Sequence, residues 1–310
     1  MENIKIIATG KYLPSNKVSS EALEKELNLQ NNFIYSRTGI KQRYYCSKED
    51  IANMAINSVY NLLQTNSKVD IKNIDLIIVA TTSTDQLMPG ITYQIQKEFN
   101  IEKCMCLDIL AGCAGFINAF DIARNYIAIG KVKNALVIGV DILSKFTNKE
   151  DISTSIILSD GAGATVISKT DESKMYSSSI ISNGQNGNIL TNSSDGKIVM
   201  DGKEIYKYAV TETVKNVKNI LEKNKVDISE IKYIVPHQAN MKIINSISNR
   251  LKMQKNKMYI NIENVGNTFC ASIPIALDDM MKKDLLKSGD KVIFLGFGGG
   301  LNTGSILLEV

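Results

Sequence analysis

The sequence contains no tryptophan and a single histidine, His237, in 310 residues. One imidazole excludes, within one chain, any site that needs two, whether a zinc centre or a pair of histidines in acid–base chemistry. Arginine is nearly as scarce. Only Arg37, Arg43, Arg124 and Arg250 occur, so bidentate phosphate clamps are few and lysine carries most anion handling. The 36 Lys and Arg against 32 Asp and Glu leave a formal charge of +4, far from the concentrated basic face of a nucleic-acid-binding protein. No apolar run approaches the ~18 residues of a membrane span. The first ten residues lack the basic, apolar and small-residue order of a signal peptide and alternate like a strand. A cytoplasmic protein with no membrane or nucleic-acid partner is expected. Five cysteines, an odd number, fit free thiols in a reducing compartment. Cys104 and Cys106 lack a second ligand pair, so no metal site is expected.

What is present is a repeat. Residues 61–78 reappear as residues 219–235 with one deletion, and the resulting offset of 157 sets Cys113-Ala114 against Cys270-Ala271, Ala119-Phe-Asp121 against Ala276-Leu-Asp278, and Ile138-Gly139 against Leu295-Gly296. Farther on the offset falls to 141, pairing residues 161–167 with 302–308, so the first half carries about 16 extra residues near 145–160. These are expected to form a surface excursion. Helical spacing of Ile51, Val59 and Leu62 precedes the apolar run Leu76-Ile-Ile-Val-Ala80; Val210, Val214, Val217 and Leu221 likewise precede Ile231 to Val235. Apolar runs without alternation are strands covered on both faces. The fold class is α/β: two duplicated, layered halves, residues 1–170 and 171–310. Residues 19–46, unmatched in the second half, are expected to add a helix and a loop.

Three residues could carry chemistry. Cys113 follows Gly112, where a strand-like stretch turns into an apolar helix ended by Gly130. Unpaired N–H groups and the dipole at a helix N-terminus favour a thiolate and should draw the thiol down toward neutrality. The alternative is a small buried cysteine, and its repeat partner Cys270 is read that way. His237 follows a buried strand that Pro236 ends, with a helix expected from about Gln238; strand ends of α/β sheets bind ligands, although a lone histidine can equally be structural. Asn267 lies three residues before Cys270, so pseudo-symmetry turns it toward Cys113 across the two halves; capping a helix from Thr268 is its other reading. Gly298-Gly-Gly300 reaches the same edge with unobstructed N–H groups, suited to an oxyanion or merely to a tight turn. Asp160-Gly-Ala-Gly-Ala164 precedes a strand, which argues against a phosphate loop.

Together these residues resemble a known family. Arg37-Thr-Gly-Ile40, Ala80-Thr-Thr-Ser83, Gly112-Cys-Ala-Gly-Phe116, Asp160-Gly-Ala-Gly163, Pro236-His-Gln-Ala-Asn240, Gly266-Asn-Thr268 and Phe297-Gly-Gly-Gly300 occur in the order of the ketoacyl-acyl-carrier-protein synthases III, members of the thiolase-like condensing enzymes. The resemblance spans nearly the whole chain. It implies a thiolase-like fold, Cys113 as the acylated nucleophile, His237 and Asn267 acting on a malonyl thioester, and an oxyanion hole from the N–H groups of Cys113 and Gly299. It also implies a homodimer, an acyl carrier protein as partner, and acyl-coenzyme A or acyl-carrier and malonyl-carrier substrates without a cofactor. The single histidine suits this subgroup, because its fold relatives use two.

The resemblance places substrate contacts at Phe33, Arg37 and Met88. Phe33 stands where the family commonly has a Trp that stacks the adenine of coenzyme A, and no arginine lies between Arg124 and Arg250 to oppose it; the carrier is therefore expected to be the better acyl donor. Met88 replaces a Phe that closes the acyl pocket from the partner subunit, so longer or branched chains are expected to fit. Lys242 aligns with the family's docking arginine, and Lys207 and Arg250 could complete a cationic face for an acidic carrier, or be solvated surface charge. Rival readings are a cysteine hydrolase, whose papain-like order Cys113, His237 and Asn267 also follow, and an acyltransferase that passes the Cys113 acyl group to another acceptor.

Overall fold

A computed structural model describes residues 3–84 and 86–310. The first half runs β1 (Asn3–Tyr12), β2 (Asn16–Ser19), α1 (Ser20–Glu26), α2 (Phe33–Thr38), β3 (Gln42–Tyr45), α3 (Ile51–Thr65), β4 (Leu76–Ala80), α4 (Ile91–Glu98), β5 (Met105–Ile109), α5 (Gly115–Ala128), β6 (Asn134–Asp141), α6 (Ile152–Ser155) and β7 (Gly161–Thr170). The second half follows with β8 (Tyr176–Ser182), β9 (Leu190–Asn192), β10 (Ile198–Met200), α7 (Gly202–Asn224), β11 (Ile231–Pro236), α8 (Met241–Arg250), α9 (Ile262–Val265), α10 (Ser272–Lys282), β12 (Lys291–Gly298) and β13 (Asn302–Glu309).

Two sheets carry the repeat. The first is ordered β1-β7-β6-β4-β5 and the second β8-β13-β12-β11, so the offsets seen in the sequence map β4 on β11, β6 on β12 and β7 on β13. β5 has no full counterpart: after α8 the chain makes only a parallel bridge between Ile234 and Met258. The strand runs fail to alternate because each sheet is covered twice. Leu76, Ile78 and Ala80 of β4 face a central core that includes α5, α10, Phe294 and Ile306, whereas Ile77 and Val79 face α3 and α4 on the outside. In the second sheet Ile293 and Leu295 turn outward to α7 and α8. The two sheets thus enclose α5 and α10 and are themselves enclosed, a five-layered arrangement with Phe120 edge-on to Phe294 at 5.6 Å in its middle. Burying every position of a five-residue strand stabilises by ~1.5–3 kcal/mol per large apolar side chain, which is why these runs dominate the pattern.

Three expectations are corrected. The segment near 145–160 is a surface excursion only in its first part, where Asn148, Lys149 and Glu150 are exposed: Thr154 to Leu158 are buried, and the fully buried Arg43 holds the Ile156 carbonyl through Nη1 at 2.9 Å. Residues 19–46 hold two helices and β3, which pairs antiparallel with β2 at their start, and Arg43 also donates to Ser20 Oγ at 2.7 Å, tying the two insertions together. The helix after His237 begins at Met241, because Gln238 is spent on the carbonyls of Pro236 and Tyr259 and Asn240 provides the N-cap, accepting from Lys242 N–H at 2.8 Å. Among the described residues no helix is long and apolar enough to cross a membrane, and all five thiols are free.

Candidate active site

After β5 the chain turns at Gly112 (φ +58°) into one turn of 3-10 helix, Gly112–Ala114, that leads into α5. This places Cys113 at the helix start, 3% exposed. The backbone of 298–300 arrives so close that glycine is required on both sides: a Cβ on Gly112 would lie 2.3 Å from the Gly299 carbonyl oxygen, and one on Gly298 would lie 2.6 Å from Cys113 Cβ.

The N–H groups of Gly299 and of Cys113 itself favour the thiolate, yet burial, and then the nearby Asp141 carboxylate, push the thiol up to about 12. The expected depression toward neutrality is therefore corrected: desolvation outweighs the helix terminus, and Cys113 rests as a thiol. Cys270, the repeat partner, is buried in the core as expected, and its thiol donates to the Gly112 carbonyl at 3.0 Å.

His237 leaves β11 with its N–H donating to the Leu295 carbonyl at 2.7 Å. Its ring stands edge-on to Phe297, with centroids 5.2 Å apart, and Nδ1 lies 2.7 Å from Ser272 Oγ. Burial pushes its pKa down to about 3, so the imidazole is neutral. Asn267 is pinned by backbone bonds, N–H to the Ile157 carbonyl at 3.0 Å and carbonyl from Ser159 N–H at 2.9 Å. Its Oδ1 accepts from Phe269 N–H at 3.1 Å, a capping bond, and its Nδ2 donates to the Ala239 carbonyl at 3.4 Å. The capping reading of Asn267 holds for its oxygen, while the residue also lines the cavity that Cys113 and His237 line.

Cys113, His237 and Asn267 line one cavity of about 270 Å³, with apolar walls that include Ile156, Leu158 and Phe297 and a mouth bearing Arg37 and Lys242. A second cavity of about 300 Å³ opens on the other side of Cys113, between Leu143, Phe146, Leu190 and Ile198, and is bordered by Gly299. Cys113 therefore lines both cavities. Lys207 is near that mouth in sequence, next to the mouth residue Tyr206, and pairs with Glu204 at 3.7 Å. Arg250 ends α8, and Lys242 lies in its first turn, so the expected cationic face is spread along the whole helix. The Arg37 guanidinium lies 4.2 Å over the Phe33 ring, so these two residues stack on each other. Met88 lines neither cavity and is 86% exposed.

Sequence reasoning missed two residues. Ser272 is buried against His237, and nothing in its local sequence marks it. Asp141 closes the apolar strand β6 with a carboxylate that accepts from Thr82 N–H at 2.7 Å, Ser83 Oγ at 2.9 Å and Cys270 N–H at 2.9 Å. A charge at the end of a buried run was the available signal. It joins the wall of the second cavity to the segment carrying Asn267.

Comparison with known proteins decides the family. The profile described as 3-oxoacyl-[acyl-carrier-protein] synthase III matches residues 107–184, and that of its C-terminal part matches residues 221–310. A β-ketoacyl-[acyl-carrier-protein] synthase III of Clostridium novyi is 40% identical, with 100% of this chain and 99% of that protein covered. The corresponding enzyme of Clostridium acetobutylicum is 38% identical over the same shares. The crystal structure of 3-oxoacyl-[acyl-carrier-protein] synthase III from Aquifex aeolicus superposes with a TM-score of 0.96 at 37% identity, covering 99% of this chain and 100% of that one. The chain belongs to the 3-oxoacyl-[acyl-carrier-protein] synthase III family. It has that family's thiolase-like fold and is a condensing enzyme of fatty acid biosynthesis. The hydrolase and simple acyl-transfer readings are set aside.

Proposed function

We propose that Cys113 attacks an acyl thioester, keeps the acyl group as a thioester and releases the donor thiol, and that malonyl-acyl carrier protein then enters the same site. Loss of carbon dioxide leaves an enolate that attacks the acyl carbonyl, giving 3-oxoacyl-carrier protein and regenerating the Cys113 thiol with one proton from solvent. The observation that carries this reading is the convergence of Cys113, His237 and Asn267, from two halves of a repeat, on one cavity.

The roles follow from donor chemistry. The N–H groups of Cys113 and Gly299 receive the oxyanion of the tetrahedral intermediate. His237, held neutral by burial, and the Asn267 amide donate to the malonyl thioester oxygen as enolate charge develops there. Every step uses a thiol, amides and an imidazole, so no cofactor is required. The second cavity takes the acyl chain between Leu143, Phe146, Leu190 and Ile198, while the carrier arm enters past Lys242 and Arg37.

Lys207, Lys242 and Arg250 meet an acidic carrier helix. A second copy of the chain covers β5, an edge strand of the first sheet, and sets Met88 of the partner subunit against the second cavity. The exposure of Met88 and of Leu110, a residue of that cavity's rim at 70%, supports this homodimer. Halves 1–170 and 171–310 act as the two structural units, and five free thiols fit a reducing cytoplasm. Mass spectrometry of the protein after incubation with panels of acyl-coenzyme A and acyl-carrier donors tests the acyl-enzyme: a single acyl adduct on Cys113 is expected, and none in Cys113→Ala.

A further inference from the structure

A neutral histidine carries one ring proton, and its position decides whether the edge facing a substrate donates or accepts. In this chain the question has a specific answer, because the far edge of His237 has one partner. Nδ1 lies 2.7 Å from Ser272 Oγ, in a buried contact across 35 positions of sequence. Ser272 begins α10 and is 1% exposed. Its oxygen has one other neighbour, the backbone N–H of Gln238 at 3.4 Å, and that group is a donor.

The hydroxyl therefore has a proton to place and, among the described residues, a single acceptor within reach, Nδ1 of His237. Were Nδ1 to carry the ring proton, two donors would point at the Ser272 oxygen and the buried hydroxyl proton would have no partner, an arrangement that buried polar groups avoid. A carboxylate or a carbonyl in this place would do the opposite, accepting from Nδ1–H and leaving Nε2 a bare lone pair suited to a base.

We propose that Ser272 is a positioning residue for the condensation: by donating its hydroxyl proton to His237 Nδ1, it holds the ring proton on Nε2, where it is aimed at the malonyl thioester oxygen beside the Asn267 amide. The inference rests on the reaction proposed above and deepens it. It assigns His237 as a donor throughout, which leaves the acylation of Cys113 without a histidine base. The two halves of the catalytic cycle then depend differently on Ser272: decarboxylation needs the Nε2–H, whereas acyl transfer to Cys113 does not.

The single histidine makes the test clean. Protein labelled with ¹⁵N-histidine has one pair of ring nitrogens, and the wild type should show a proton-bearing Nε2 and an unprotonated Nδ1. Ser272→Ala should lose this preference and become a mixture of tautomers. Its decarboxylation of malonyl-carrier should fall about tenfold or more, in the range found when a group that orients a histidine is removed, while the rate of Cys113 acylation followed by mass is unchanged. Ser272→Thr, which keeps the hydroxyl, should restore both tautomer and rate. A wild-type spectrum with the proton on Nδ1 overturns the proposal even if the alanine variant fails to fold. So does a folded Ser272→Ala protein that decarboxylates at the wild-type rate. If the wild-type protein releases no carbon dioxide from malonyl-carrier, the proposed reaction falls, and the spectrum still decides the tautomer.

Discussion

The thiol of Cys270 donates to the carbonyl oxygen of Gly112 across 3.0 Å, so the cysteine of the second half holds the turn that presents the cysteine of the first. The Asn302 amide, also of the second half, holds the neighbouring Ala111 carbonyl. One thiol of the repeat is structural and the other stands between the two cavities. Cys113→Ala should abolish the acyl adduct. Cys270→Ala should retain it and lose about 1 kcal/mol of stability with the hydrogen bond, read as a lower Tm. Acyl label recovered on Cys270 or Cys46 contradicts this division.

In the proposed reaction His237 and Asn267 serve the second step. Either residue changed to alanine should still leave Cys113 acylated but lower malonyl-carrier decarboxylation ~100-fold or more, the scale of removing an oxyanion donor. Separate assays of acyl adduct and carbon dioxide resolve the two. Loss of acylation in His237→Ala as complete as in Cys113→Ala means that His237 is the base for Cys113, and the separation of roles fails.

Burial moves the thiol and the imidazole in opposite directions. Because Cys113 is pushed up to about 12, its thiolate fraction, and with it the rate of alkylation by iodoacetamide, should rise about tenfold per pH unit from pH 6 to 9, since the fraction grows in proportion to hydroxide below the pKa. Because His237 is pushed down to about 3, its ring resonances should not move between pH 8 and 5. An alkylation rate already level at pH 8 contradicts the first statement, and a histidine midpoint near 6.5 contradicts the second.

Phe33 and Arg37 stack on each other at 4.2 Å, which leaves no two-sided slot for an adenine between them. A lost stacking and cation–π clamp of ~1–2 kcal/mol corresponds to roughly ten- to thirtyfold in affinity, so matched acyl groups should reach Cys113 faster from the carrier than from coenzyme A. The preference should shrink as salt screens Lys207, Lys242 and Arg250. Initial acylation rates with both donors at low and high ionic strength measure it. Equal or faster acylation from coenzyme A at low salt means that Arg37, swung off Phe33, rebuilds the adenine contact.

Much of the fold is legible in the sequence. Leu76 to Ala80 and Val292 to Phe297 declared themselves as doubly covered strands because both of their faces are buried. The repeat carried the site, since Cys270 occupies the place of Cys113 and so fixes where Asn267 must face. Illegible features depend on packing rather than pattern. Ile156 to Leu158 form a short apolar stretch without periodicity, which reads equally as loop or wall. The dipole acting on Cys113 is visible in sequence, but the desolvation that overrides it is a property of the closed layers around it. The Ser272–His237 contact joins residues that share no local motif.

Condensation itself is tested most directly by supplying an acyl donor and malonyl-carrier protein labelled at the free carboxyl, then following released carbon dioxide together with the mass of the carrier-bound product. One carbon dioxide should appear for each 3-oxoacyl-carrier formed, with the product absent in Cys113→Ala. Loss of the acyl group to water or to another acceptor, with no carbon dioxide released and no lengthened chain on the carrier, contradicts it.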